Sequence, residues 1–166
     1  MPALPLDLFR RLTNGVYVVG VADGARRNAF TAAWITQVSF EPLLIALSIN
    51  PEHASYPLLS ASKAFTVSIL GADQLDVARH FGTQSGRDVD KLAGQLWAPT
   101  TAGIPWLSVA VAYLECQVEV EHAAGDHRIV LARVTGGELL SPDAIVLGYR
   151  ETGNLDGSAA LYPPHF

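Results

Sequence analysis

The sequence predicts a mainly β protein, an antiparallel barrel with one or two helices as caps. Three observations carry that reading. About seven β-rich runs recur along the chain, bounded by Gly, Pro, Asp and Asn. They do not alternate regularly with helical stretches, as a doubly wound parallel sheet requires. The stretch from Ser108 to Leu140 alternates like a long hairpin, with Leu114, Cys116, Val118 and Val120 set against Glu115, Gln117, Glu119 and Glu121.

Taken in order, a first run from Val16 to Val21 breaks at Asp23-Gly24 and resumes at Arg27, the pattern of a hairpin with a glycine turn. Glu41-Pro42 separates this second strand from 'LLIALSI', a continuously apolar run that reads as buried on both faces. Leu58 and Leu59, with Pro57 near the first turn, suit a short helix, and 'KAFTVSIL' reads as a fourth strand. A second helix is predicted with Asp73 as N-cap and Gly82 as its close. Residues 83–107 have no sustained period, and a long irregular segment in a compact domain usually serves or covers a site. The hairpin follows, turning between Ala123 and Asp126 with a return strand from His127 toward Val134, and 'AIVLGY' supplies one more strand.

The totals bound the partners. The chain of 166 residues is expected to form one domain over residues 1–166. Hydrophobic residues make up 49% and charged ones 16%, a lean polar share that points to burial in a homo-oligomer. No run of about 18 apolar residues suggests a membrane span. A net charge of −5 with scattered Lys and Arg argues against nucleic acid. Cys116 stands alone, so no internal disulfide is expected, and its place beside Leu114 and Val118 makes it a core residue. With no leader visible in 'MPALPLDLFR', the expected context is reducing and cytoplasmic.

Metal-binding, nucleophile-elbow and phosphate-loop motifs are absent, and the five histidines are widely spaced, so no metal site is expected. Two features stand out. From Asn28 to Asn50, small and hydroxyl side chains (Thr31, Ala32, Ala33, Thr36, Ser39, Ser48) occupy strand positions where a plain core would carry bulk. Ordinary strand threonines and serines account for this, and so does a cradle of exposed amides for a phosphate and a flat ring. His127 begins the return strand after a turn that Gly125 and Asp126 satisfy by themselves. It reads either as a surface histidine or as a group at the barrel mouth.

In order, 'NGVYVVGV', 'NAFTAAWITQVSFEPLLIALSIN', 'SKAFTVSILGADQLDVARHFG' and 'GIPWLSVAVAYLECQVEVEHAAGDHRIVLARV' resemble the flavin reductase-like family, from about Phe9 to Tyr149. The 'AWITQ' core and the 'GYRETGN' ending look most like the reductase modules fused to flavodiiron proteins. The resemblance implies an antiparallel split β-barrel of Greek-key type that binds FMN, or FAD in its place, and forms homodimers with the flavin near the interface. It implies that Thr31, Ala32, Ala33, Trp34, Ile35, Thr36, Gln37 and Val38 wrap the flavin ring. Ser48 and Asn50, with His53, Ala54 and Ser55, would approach the ribityl and phosphate end. Phe81 and Gly82 would add a contact, and His127 matches the family histidine beside the nicotinamide or the flavin.

The chain departs from the family pattern at Ala29 and Phe30, which replace a usual Gly-Met, at Arg128, which replaces a threonine, and at Trp34, which replaces a small residue. These changes bear on nicotinamide use more than on flavin binding. The expected function is an NAD(P)H:flavin oxidoreductase that passes hydride from NADH or NADPH to flavin N5 and supplies a monooxygenase or another acceptor. The alternative is an FMN-holding electron carrier that does not itself use nicotinamide.

Overall fold

Gly24, at φ 60°, reverses the chain between strands β1 (Tyr17–Asp23) and β2 (Arg26–Ala32), which pair in antiparallel register from Tyr17↔Ala32 to Asp23↔Arg26. The computed structural model describes residues 4–166. Met1 to Ala3, the start of the segment expected to lack a leader, lie outside the described residues. A short helix α1 (Pro5–Phe9), not expected from the sequence, precedes β1.

After β2 come β3 (Ile35–Ser39), β4 (Leu44–Ile49), α2 (Tyr56–Ser62), β5 (Ala64–Ile69), α3 (Leu75–Gly82) and a small ribbon of β6 (Trp97–Pro99) and β7 (Pro105–Leu107). The long hairpin β8 (Ala112–Ala124) and β9 (His127–Leu139) follows, turning at Gly125, φ 63°. Seven strands form one antiparallel sheet in the order β2-β1-β5-β8-β9-β4-β3. Its edges, β2 and β3, come from one continuous stretch that turns a corner at Ala33 and Trp34. The sheet curls into a barrel that remains split between them.

Two cores flank this wall. Inside the barrel, Val19, Val21, Phe30, Leu47, Phe65, Cys116 and Val130 pack together and are closed over by Leu58 and Leu59 of α2. Outside it, Val16, Val18, Ala29 and Leu70 meet Ala78 and Phe81 of α3 and Leu107 of β7. Strands β1 and β5 are therefore the ones buried on both faces. The expectation for β4 was wrong: its burial alternates, and among the described residues no helix or ribbon covers its outer face. Thr66 and Ser68, polar yet buried on β5, are satisfied by the ribbon: Thr66 Oγ1 donates to the Pro105 carbonyl, and Ser68 Oγ accepts from Leu107 N–H at 2.9 Å.

Other elements also differ. 'AIVLGY' is not a strand and makes only isolated bridges, Gly15↔Gly148 and Gly71↔Val146. Gln74, not Asp73, is the N-cap of α3, and Gly82 is its last residue. In β8 the alternation fails beyond Val118, where the register shifts so that Val120 pairs with Leu131 and Glu121 with the buried Val130. That bulge turns Val120 outward and Glu121 inward. Glu121 there faces Lys63 Nζ at 3.7 Å.

Candidate active site

At the corner between the edge strands the backbone belongs to neither ladder. The amide N–H groups of Ala33 and Trp34 meet no acceptor in the chain, among the described residues. Backbone donors beside small side chains are what a ring with carbonyl and imine acceptors requires. Thr31 Oγ1 donates to the Ala78 carbonyl at 2.8 Å and so ties β2 to α3. Gly82 ends that helix against the same threonine, where a Cβ would come within 3.2 Å of Thr31 Cβ. Thr31, Ala32, Ala33 and Gly82 thus line one narrow cleft of about 60 Å³, bounded also by Tyr149 and Asp156. The Tyr149 hydroxyl donates to Asp156 Oδ2 at 2.7 Å. Burial alone would raise the Asp156 carboxyl, but hydrogen bonds from Ser158 and Tyr149 hold it below the usual range.

Trp34 also sets the neighbouring strand. Its carbonyl accepts from Ser48 N–H at 3.0 Å, and Ser48 pairs in turn with Ile129 near the start of β9. This brings the half-exposed indole to His127, ring centroids 5.0 Å apart. His127 Nδ1 lies 2.7 Å from Asp126 Oδ1. An ionised carboxylate can only accept, so a neutral imidazole carries its proton on Nδ1 and leaves Nε2 as an acceptor. The same hydrogen bond holds the Asp126 carboxyl below its ordinary value.

A second cluster lies at the turn after β4. Asn50 Oδ1 accepts from Glu52 N–H at 2.9 Å, and the Asn50 carbonyl accepts from His53 N–H at 3.0 Å. The turn sets His53 against Phe30, centroids 4.5 Å apart, with Ala54 half-buried behind it. His53 Nδ1 accepts from Ser55 N–H at 3.2 Å, and the buried Ser55 Oγ accepts from Asn28 Nδ2 at 2.8 Å. Burial, and then the charges of Lys91 and Arg87, push the His53 imidazole down to about 4. Arg87 donates to the Glu52 carbonyl at 2.8 Å. Lys91, only 2% exposed, donates from Nζ to the Phe81 carbonyl at 3.1 Å, and burial pushes its ammonium down to about 8. Two cations and an amide therefore gather about one turn, which suits an anion.

Most of the expected residues fall into these two groups. Ile35 instead packs against the barrel core, while Thr36, Gln37 and Val38 run exposed along edge strand β3. The Phe81 ring is 1% exposed and belongs to the outer core, so its side chain contacts no open site. Asn28, Arg87, Lys91 and Tyr149 were not expected. Asn28 begins the stretch of small residues, but 'GRDVDK' reads as solvated charge and hides a buried lysine. Beside the narrow cleft lies a larger cavity of about 620 Å³, with Trp34 and Tyr149 in its wall. No three His, Cys, Asp or Glu side chains converge as metal ligands among the described residues.

Comparison with known proteins identifies the family and the fold. The family model described as Flavin reductase like domain matches residues 9–154. A protein named "Putative diflavin flavoprotein A 1" from Thermosynechococcus vestitus is 32% identical over 159 residues, which are 93% of this chain and 28% of that protein. "High molecular weight rubredoxin" of Moorella thermoacetica is 33% identical over 131 residues, 78% of this chain and 57% of that protein. The chain thus spans only part of the length of these relatives. Among solved structures, the NADH:FAD oxidoreductase SgcE6 of Streptomyces globisporus superposes with a TM-score of 0.78 at 31% identity, covering 84% of this chain and 82% of the other. An FMN-binding protein from Thermus thermophilus does so with a TM-score of 0.76 at 29% identity, covering 86% and 79%.

Proposed function

Because the chain belongs to the flavin reductase-like family, we propose that it is an FMN-binding, NAD(P)H-dependent flavin reductase. The observation that carries this reading is the corner at Ala33 and Trp34, where unpaired amide donors lie between the Thr31–Gly82 cleft and His127. Bound FMN would supply the redox chemistry, accepting a hydride at N5 from nicotinamide C4.

The residues supply binding, orientation and exclusion of water. The Ala33 and Trp34 amides would hold the polar edge of the ring, with Thr31 and Gly82 beside it. At the turn of Asn50 to Ser55 the exposed Arg87 would meet the phosphate, with the charge of the buried Lys91 behind it. Phosphate charge there would offset the two cations that, after burial, depress His53. His127, fixed by Asp126, orients the nicotinamide or the ring. FAD fits the same amides but needs further space for its second nucleotide.

The outer faces of β4 and β9 support a homodimer. Ile129 is exposed there beside the half-buried Ala46 and Leu131, Val120 of the neighbouring β8 extends the patch, and Phe40 stands 87% exposed at the loop tip. The same reading takes residues 1–166 as one domain and a monooxygenase or another flavin-using or iron protein as acceptor. One observation favours the electron-carrier reading instead: Trp34 lies against His127, on the ring that would orient a nicotinamide.

The test is an anaerobic absorbance series on the FMN-loaded protein, with NADH and then NADPH. Bleaching of the flavin band within seconds is expected. A flavin that binds and stays oxidised with both donors would transfer the assignment to the electron carrier.

A further inference from the structure

The large cavity lies between α1 and the C-terminal segment, and its charge contrasts with that of the whole chain. Arg10 and Arg11 reach it from the end of α1, and Arg150 from the opposite wall. None of the three guanidinium groups is in a salt bridge or donates a side-chain hydrogen bond, among the described residues. The acid in the wall, Asp7, accepts from Leu4 N–H at 3.4 Å. Three unpaired cations thus face one carboxylate in a protein of net charge −5. Guanidinium groups left without partners at a concave surface suit a ligand with several phosphate oxygens.

The rest of the wall suits a flat ring. Phe9 and Tyr162 meet at 5.8 Å between centroids, and Tyr149 is held in place by Asp156 and by Ser158 Oγ at 3.1 Å. At about 620 Å³ the cavity has the size of sites that enclose nucleotide-sized ligands. It also adjoins the proposed flavin site. Tyr149 borders both the cavity and the Thr31–Gly82 cleft, and Trp34 borders the cavity and touches His127.

Resting on the reductase reading, we infer that this cavity takes the adenosine half of the dinucleotide donor, and that Arg10, Arg11 and Arg150 select the donor bearing a 2′-phosphate. The nicotinamide end must meet the flavin beside His127, so the remainder of the donor has to lie in adjoining space. The large cavity borders that point with both aromatic and cationic walls. The pyrophosphate of NADH brings two negative charges; the 2′-phosphate of NADPH adds nearly two more and gives the third arginine a partner. The preference is therefore for NADPH.

The experiment is equilibrium binding, by titration calorimetry, of adenosine 2′,5′-bisphosphate and of AMP to the FMN-loaded full chain. It is repeated on the double variant Arg11→Ala, Arg150→Ala, whose side chains are exposed. The bisphosphate is expected to bind the native protein at least about tenfold more tightly than AMP. The double variant should lose that preference with unchanged FMN affinity. Equal binding of the two nucleotides, or a preference that survives in the variant, overturns the assignment. Neither ligand carries a nicotinamide, so failure of the reductase reading is distinguishable. A 2′-phosphate preference in a protein whose FMN neither donor bleaches would keep the cavity and remove the reductase. Bleaching at equal rates by both donors with no nucleotide preference would do the reverse.

Discussion

The Trp34 indole and the His127 imidazole, far apart in the chain, lie with their rings 5.0 Å apart because β4 stands between β3 and β9 and hydrogen-bonds to both. His127 is thereby placed at the Ala33–Trp34 corner proposed for the flavin, without being part of the backbone that would hold it. In His127→Ala, single-turnover reduction of bound FMN should slow by about tenfold or more, while the FMN dissociation constant moves by less than about threefold. Stopped-flow absorbance and a fluorescence titration measure the two quantities. Unchanged reduction in this variant would remove His127 from the mechanism.

Asn28 and Ser55 form a buried polar pair, 7% and 0% exposed, joined at 2.8 Å. Ser55→Ala leaves the Asn28 amide without its acceptor in a place water does not reach, at a cost of about 1–3 kcal/mol. Gly86→Ala should act through the same pair, since an added Cβ would run into the Asn28 amide. Both variants should melt lower than the parent and bind FMN more weakly. A Ser55→Ala protein as stable as the parent would mean the pair contributes nothing.

What the sequence made legible was local. The hairpin at Gly24, the Leu58–Leu59 helix and the long alternating hairpin all follow from periodicity and turn residues that act over a few positions. The errors arose where a distant element decides. Nothing in 'LLIALSI' says that α3 and the ribbon cover β1 and β5 and leave the outer face of β4 open. Nothing in 'VEVE' marks the bulge that turns Glu121 inward. The site divides in the same way. Small residues on adjoining strands drew attention to Thr31 through Trp34, whereas Lys91 and the arginines of the large cavity depend on where loops cross, which local spacing does not encode.

His53 makes stability depend on acidity in a defined window. Its imidazole is held near 4 in the fold, against 6.5 for the free side chain, by burial and by Lys91 and Arg87. The unfolded chain therefore takes up this proton first. Stability from this residue is complete above about pH 6.5, falls as pH drops through the window and is lost below about pH 4. The size is about 2 kcal/mol after allowance for partial exposure. In urea titrations His53→Asn should flatten the decline between about pH 6.5 and 5, where most carboxylates do not yet titrate. An identical slope in parent and variant would show that another group carries it.

Gly20 and Thr66 fix the ribbon to the barrel through one atom, the Pro105 carbonyl oxygen. Thr66 Oγ1 donates to it, and a Cβ at Gly20 would collide with it. Gly20→Ala must push β7 off β1, at an expected cost of about 2 kcal/mol and roughly 5 °C in Tm. Thr66→Val keeps the shape of the side chain but leaves that carbonyl without its donor, at a cost of about 1–2 kcal/mol. Once the ribbon has shifted, the hydrogen bond is already broken, so the second substitution has less left to remove. The double variant should therefore lose less stability than the sum of the single ones, with a coupling of about 1 kcal/mol measured by urea unfolding of all four proteins. Strict additivity would show that the two residues hold the ribbon independently.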